Sequence, residues 1–175
     1  MDEKIILGYG ISSSLINLII IEKDITIEII NEKQQLDPIL YIDNLVIPYY
    51  SIIIDYLENR AYYPPLIPQS PTGILISLYF IDIFIHLIDD FLAEENHKKR
   101  KEKLNNIFHM INNLIQRSKY VLGDEIKIVD LLIASFLIEL VKKNISLNNI
   151  HIELQTVKFI KNLINLPSVK KVINL

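Results

Sequence analysis

The chain has 175 residues, half of them apolar and 22% charged, which is enough apolar material for a sizeable core and argues against disorder. A formal net charge of −3 argues against a nucleic-acid binder that works by neutralising phosphates over a broad basic face. The absence of cysteine excludes disulfides, thiolate metal sites and thiol catalysis, and it fits a cytosolic protein.

In chain order, Lys4 to Leu7 is a short apolar run ending at Gly8-Tyr9-Gly10, the pattern of a first strand and a turn. Ser12, Ser13 and Ser14 supply candidate N-caps for a helix through Lys23. Ile25 to Ile30 reads as a second strand, Ile39 to Ile42 as a third and Leu45 to Ile47 as a fourth after an Asp43-Asn44 turn. Tyr49 to Asn59 reads as a helix. The first sixty residues therefore predict a β-α-β, β-β-α lobe.

A proline-rich connector follows, with Pro64, Pro65, Pro68 and Pro71 excluding a helix and marking the lobe boundary. The expected organisation is a lobe over 1–60, a link over 61–72 and an all-helical lobe over 73–175. Helices are predicted from Gly73 to about Phe91, from His97 to Ser118, from about Lys127 to Lys143, from Ile152 to Leu166 and from Ser168 to Asn174.

The longest apolar tract, Ile74 to Leu92, carries Asp82, His86, Asp89 and Asp90 at near-helical spacing. Carboxylates in mid-membrane are costly, so a largely buried helix is expected and no membrane partner. The helix from Lys127 is apolar nearly all round, the mark of a helix at the centre of a core. Asp130 in its first turn is expected to accept from free backbone N–H groups. This is a structural role. His86, His97, His109 and His151 show no paired metal-ligand spacing, so no metal and no cofactor is assigned.

Four segments carry a resemblance to a known family. Ser12 to Ile29 (SSSLINLIIIEKDITIEI), Tyr56 to Pro71 (YLENRAYYPPLIPQSP), Tyr120 to Leu147 and the C-terminal VKFIKNLINLPSVKKV look like the glutathione S-transferase fold. Within that fold they resemble its RNA-polymerase-associated branch, the stringent starvation protein A family of bacteria. The implied fold class is an α/β thioredoxin-like N-terminal lobe, here shortened, plus an all-α C-terminal lobe.

The resemblance also marks departures. The position that activates glutathione in the transferases falls near Gly10 and Ile11, which have no functional side chain. Ser12 to Ser14 are read as caps ahead of thiol activation. The Glu-Ser pair that holds the γ-glutamyl group is replaced by Tyr49 and Tyr50. Only Asn31 to Asp37 remain where the family fits a helix, which would open one wall of the glutathione pocket. Pro38 matches the family's cis-proline by position. Glutathione is therefore not expected to bind, and the chain is expected not to be an enzyme.

What the resemblance implies instead is association with RNA polymerase holoenzyme and modulation of transcription, in the cytoplasm, without direct nucleic-acid contact. The link residues Tyr62, Tyr63, Pro64, Pro65 and Leu66 match the family's docking surface, with Tyr63 in place of a His. These rings could equally fill the seam between lobes. Ile74, Ile76, Leu78, Ile83 and Ile85 suggest a homodimer contact on the helix after the link; drift toward Ile under an AT-biased genome would give the same pattern. The basic run His97-Lys98-Lys99-Arg100-Lys101 is read as a solvated helix start. A residual thiol-binding transferase and a scaffold domain of the translation apparatus are the alternatives to the polymerase reading. Finally, Lys127 stands where the family places a capping Ser or Thr, so Lys127→Ser is expected to stabilise the chain by about 1 kcal/mol.

Overall fold

A computed structural model describes residues 3–35, 37–115, 118–148 and 150–173. Strand β1 (Glu3–Leu7) turns Ile5 and Leu7 inward and is paired on both sides. It runs parallel to β2 (Glu28–Asn31) and antiparallel to β3 (Ile39–Ile42), which pairs with β4 (Leu45–Ile47) to give the order β2-β1-β3-β4. Ile5 stands opposite Leu40, and both side chains are fully buried. On the opposite face Lys4 lies over the ring of its cross-strand partner Tyr41, 5.3 Å from the centroid.

Helices α1 (Ile11–Glu22) and α2 (Tyr50–Arg60) complete the first lobe. Strand β2 begins three residues later than Ile25, and its four residues are exposed. The cause is the end of α1. Ile25 N–H donates to the Ile20 carbonyl at 3.0 Å and Asp24 N–H to Ile21 at 3.2 Å, with Asp24 at φ 50°. That is a Schellman closure, and it uses residue 25 before a strand can start.

The second lobe comprises α3 (Pro71–Ala93), α4 (His97–Leu114), α5 (Ile128–Lys142), α6 (Leu154–Ile164) and α7 (Pro167–Ile173). Helix α3 begins two residues before the expected Gly73. Ser70 caps it by accepting from Gly73 N–H at 3.1 Å, and Pro71 takes the first helical position, where its missing N–H costs nothing. Helix α3 is long and apolar enough to cross a membrane, and it is not the largely buried helix expected: Ile81, Phe84, Ile85, Ile88 and Phe91 face the core, but only 28% of its apolar stretch is buried. Helix α4 stops at Leu114, short of the expected Ser118, with Ile115 already extended at its C-cap, and residues 116, 117 and 174 lie outside the described residues.

Helix α5 is the axis of the core, buried from Ile128 to Leu140. Phe136 meets Phe84, Phe91 and Phe108 at centroid distances of 6.2, 6.0 and 6.0 Å, the first two edge-on. Helix α1 packs on α5 more extensively than any other two elements pack together, so the two lobes share one core. At that seam Ser14 Oγ donates to Glu139 Oε1 at 2.8 Å, and Lys142 Nζ donates to both at 3.1 and 3.0 Å.

Asp130 takes the expected structural place. It is fully buried, and its carboxylate accepts from Val121 N–H at 2.9 Å and Lys127 N–H at 2.8 Å. It thereby ties the Tyr120–Gly123 turn to the start of α5. Burial outweighs those bonds and the nearby Lys127 charge, and pushes its carboxyl up to about 6. Pro38 is buried ahead of β3, but the cis X–Pro bond among the described residues is Tyr63–Pro64, in the link.

Candidate functional site

The link runs from the end of α2 to the start of α3, and its conformation is set by charges beneath it. Lys23, the residue that ends α1, has its side chain wholly buried. Its ammonium pairs with Glu58 Oε2 at 3.1 Å and donates to the carbonyls of Ala61 and, at 2.9 Å, Pro64. The other Glu58 oxygen accepts from the N–H groups of Leu66 at 2.9 Å and Ile67 at 3.2 Å. From the far side, Lys127 Nζ donates to the Pro65 carbonyl at 2.9 Å, and Ile128 N–H donates to the Leu66 carbonyl at 2.9 Å. Prolines cannot donate backbone bonds, so charged side chains take over the task of holding this segment.

The result is a fixed ribbon with two aromatic rings outward. Tyr62 and Tyr63 are 70% and 81% exposed, while Pro64 and Pro65 are half-buried. The rings therefore do not fill the seam. Leu66 does, at 0% exposure, and this withdraws it from any docking surface. Tyr62 hydroxyl accepts from Gln69 Nε2.

The residues expected near a thiol site take other roles. Gly10, at φ 125°, is the N-cap of α1, and no side chain caps that helix. The three serines, read as caps, instead lie buried inside its first turn. Ser12 Oγ donates to Asp37 Oδ1 at 3.1 Å, Ser13 Oγ accepts from Gly8 N–H at 3.0 Å, and Ser14 joins the seam network. The short segment after β2 has no helix among its described residues and folds over the β1–α1 turn instead, with Tyr9 N–H donating to the Gln35 carbonyl at 2.9 Å.

Tyr49 is exposed at the N-cap of α2 and Tyr50 is partly buried behind it. Burial raises the Tyr50 hydroxyl above the usual tyrosine range, and the carboxylates of Asp82, Asp89 and Asp37 raise it further. Burial likewise raises Asp89, with Asp37 adding to it and His86 opposing. Negative charge from the first lobe and from α3 thus bears on the same ground.

No protein-family model matches the chain, and no curated protein sequence matches it. Solved structures do. A diazinon-metabolizing glutathione S-transferase of the silkworm Bombyx mori superposes with TM-score 0.81 at 14% identity, covering 99% of this chain and 97% of that one. A glutathione S-transferase of Methylobacterium radiotolerans, in complex with glutathione sulfonate, gives 0.77 at 16% identity, covering 98% and 94%. The Tau class enzyme of mango, Mangifera indica, gives 0.74 at 17% identity, covering 98% and 92%. The chain has the glutathione S-transferase fold. At these identities the likeness establishes architecture and carries no activity across.

Lys23 and Glu58 were the residues missed in the sequence. Each was visible as an isolated charge inside a segment that carries the resemblance: Lys23 closing an apolar helix, Glu58 one turn before the prolines. Their partnership across 35 positions was not visible.

Proposed function

We propose that this chain is a non-catalytic glutathione S-transferase-fold protein that docks on RNA polymerase holoenzyme, in the manner implied by its resemblance to the stringent starvation protein A family. The observation that carries the reading is the link: two exposed tyrosines on a backbone held by buried charges lose little entropy on binding. Tyr62, Tyr63, Pro64 and Pro65 form the contact, with Leu66 serving beneath it as an anchor. The expected setting is the cytoplasm. Of the α3 residues expected at a homodimer contact, Ile85 lies in the core and Ile83 is half-buried, while Ile74, Ile76 and Leu78 are exposed and, with Leu75 and Tyr79 beside them, support a homodimer of symmetric type.

Two features support the absence of chemistry. No hydroxyl or thiol stands at Gly10 or Ile11, and Ser12 is engaged by Asp37. Two bulky rings, Tyr49 and Tyr50, stand where the resemblance places the Glu-Ser pair that holds the γ-glutamyl group. The test is co-purification of the intact chain with purified bacterial RNA polymerase holoenzyme. Wild type is expected to be retained and a Tyr62→Ala, Tyr63→Ala double variant to be lost. Failure of wild type to co-purify overturns the proposal.

The named activities of the structural neighbours favour a second reading, a transferase with residual thiol binding. Retention on immobilised glutathione together with turnover of an electrophile would establish it in place of the first.

A further inference from the structure

The basic run at the start of α4 is not evenly solvated. His97, Arg100, Lys101 and Leu104 fall at the spacing of one helical face and line a hollow of about 320 Å³. Lys143, Asn144, Ser146 and Asn148 close its other side, over an apolar floor that includes Phe91 and Leu104. Lys98 and Lys99 of the same run lie outside the hollow, exposed.

Three permanent cations and a histidine thus converge in a chain whose net charge is −3. No carboxylate lines the hollow. Of the acidic groups near the run, Asp90 and Glu94 are taken by Lys103 at 2.9 and 3.0 Å, and Glu95 and Glu102 do not line the hollow. Among the described residues, none of His97, Arg100, Lys101 and Lys143 forms an ion pair. The Arg100 guanidinium lies over the Phe91 ring at 5.3 Å, a contact that uses none of its N–H donors. Its Nε is buried with no acceptor. A buried donor without a partner is costly.

Backbone electrostatics agree. The hollow lies beside the first turns of α4, the positive end of that helix, where Asn96 Oδ1 already accepts from Lys98 and Lys99 N–H, so side chains and not backbone N–H groups would hold a ligand. The opposing end of α5 would repel an anion, but three of its last four carbonyls are occupied: Lys143 N–H donates to Glu139 at 3.0 Å, Asn144 N–H to Val141 at 3.0 Å and Ile145 N–H to Leu140 at 2.9 Å.

We propose that this hollow binds a small phosphate-bearing molecule, its phosphate oxygens taken by Arg100, Lys101 and Lys143 and its body by Asn144, Ser146 and Asn148. The size suits a compact metabolite. A nucleic-acid strand would need a continued basic track, whereas Glu94, Glu95 and Glu102 flank the run. The site lies apart from the link and stands independently of the polymerase reading.

The probe is inorganic pyrophosphate, titrated calorimetrically into the full chain at low salt, with a single-stranded oligonucleotide as a second arm. Saturable pyrophosphate binding is expected. Arg100→Gln is expected to weaken it about tenfold or more, and so is the Lys101→Gln, Lys143→Gln pair, which serves should the Arg100 variant fold poorly. Lys98→Gln, with the same loss of charge outside the hollow, is expected to change it by less than about twofold. Absence of saturation, or equal weakening by Lys98→Gln and Arg100→Gln, overturns the site. Preferential binding of the oligonucleotide, abolished by Arg100→Gln, overturns the small-molecule assignment.

Discussion

Lys23 Nζ lies 3.1 Å from Glu58 Oε2 under the link, with the lysine side chain wholly removed from solvent. Between them these two side chains bond four backbone groups of the link, at Ala61, Pro64, Leu66 and Ile67. A buried pair of this kind contributes little net stability against an apolar replacement, but breaking it strands a charge. Its role here is to dictate a conformation that proline-rich backbone cannot secure for itself. Glu58→Ala should therefore lower the unfolding free energy by about 3 kcal/mol and expose the link to proteolysis. Lys23→Met combined with Glu58→Leu should recover much of the stability and not the protease resistance. Urea denaturation and limited digestion measure the two separately. A Glu58→Ala chain as resistant as wild type would show that the link is held by packing alone.

Lys127 reverses an expectation. Read in sequence, it is a cap that lost its hydroxyl, and serine there should help by about 1 kcal/mol. In the structure, Asp130 still accepts from Lys127 N–H, and the ammonium has a separate partner, the Pro65 carbonyl at 2.9 Å, with Glu125 at 3.0 Å. A charge-assisted bond to a carbonyl contributes about 1.5–3 kcal/mol, as much as the missing cap or more. Lys127→Ser should lower the melting temperature by a few degrees. A rise in calorimetric Tm would mean the cap dominates.

Asp130 should make stability depend on pH in an unusual sense. Its carboxyl titrates near 3.8 as an ordinary aspartate and near 6 when folded, so the folded chain holds the proton more tightly. The associated stability is complete below about pH 4 and is lost as pH rises through 6. Two pKa units amount to about 3 kcal/mol. Asp130→Asn is neutral throughout and gives up one N–H bond to Val121 or Lys127. It should be less stable than wild type at pH 4, and the deficit should shrink by up to about 3 kcal/mol by pH 7. Urea unfolding of both chains across that range is the measurement. A constant difference would leave Asp130 with no part in the pH dependence.

The elements that could be read in sequence were those set by local pattern. The mostly apolar α5, the Gly123 turn and the closely spaced prolines each announce themselves locally. Ser12 to Ser14 did not. Three hydroxyls before an apolar run look like caps, yet Gly10 takes the cap because its φ of 125° suits glycine, and Ser14 reaches Glu139, 125 residues away. Ser70-Pro71 before Gly73 is a local start signal, a cap followed by a proline that suits the first helical position as well as it breaks a helix interior. Leu66 has no local sign that its side chain turns inward. Position in a motif names the neighbours along the chain; burial depends on partners that only the fold brings near.

Gly73 tests how rigid the link is. It is the third residue of α3, and a Cβ added there would lie 2.5 Å from Pro68 Cβ and 2.8 Å from the Ser70 Oγ that caps the helix. Alanine is the better helix former by about 1 kcal/mol, so on a yielding link Gly73→Ala would stabilise. Here the neighbour is a proline ring, and Glu58 and Lys127 hold the backbone just before it. Overpacking of this kind costs about 1–3 kcal/mol, which outweighs the helical gain. Gly73→Ala should therefore be destabilising overall, and less so in a Pro68→Gly background, where the opposing Cβ is gone. A double-mutant cycle by urea denaturation isolates that coupling. If alanine at 73 stabilises in both backgrounds equally, the link moves aside, and the rigid presentation of Tyr62 and Tyr63 fails with it.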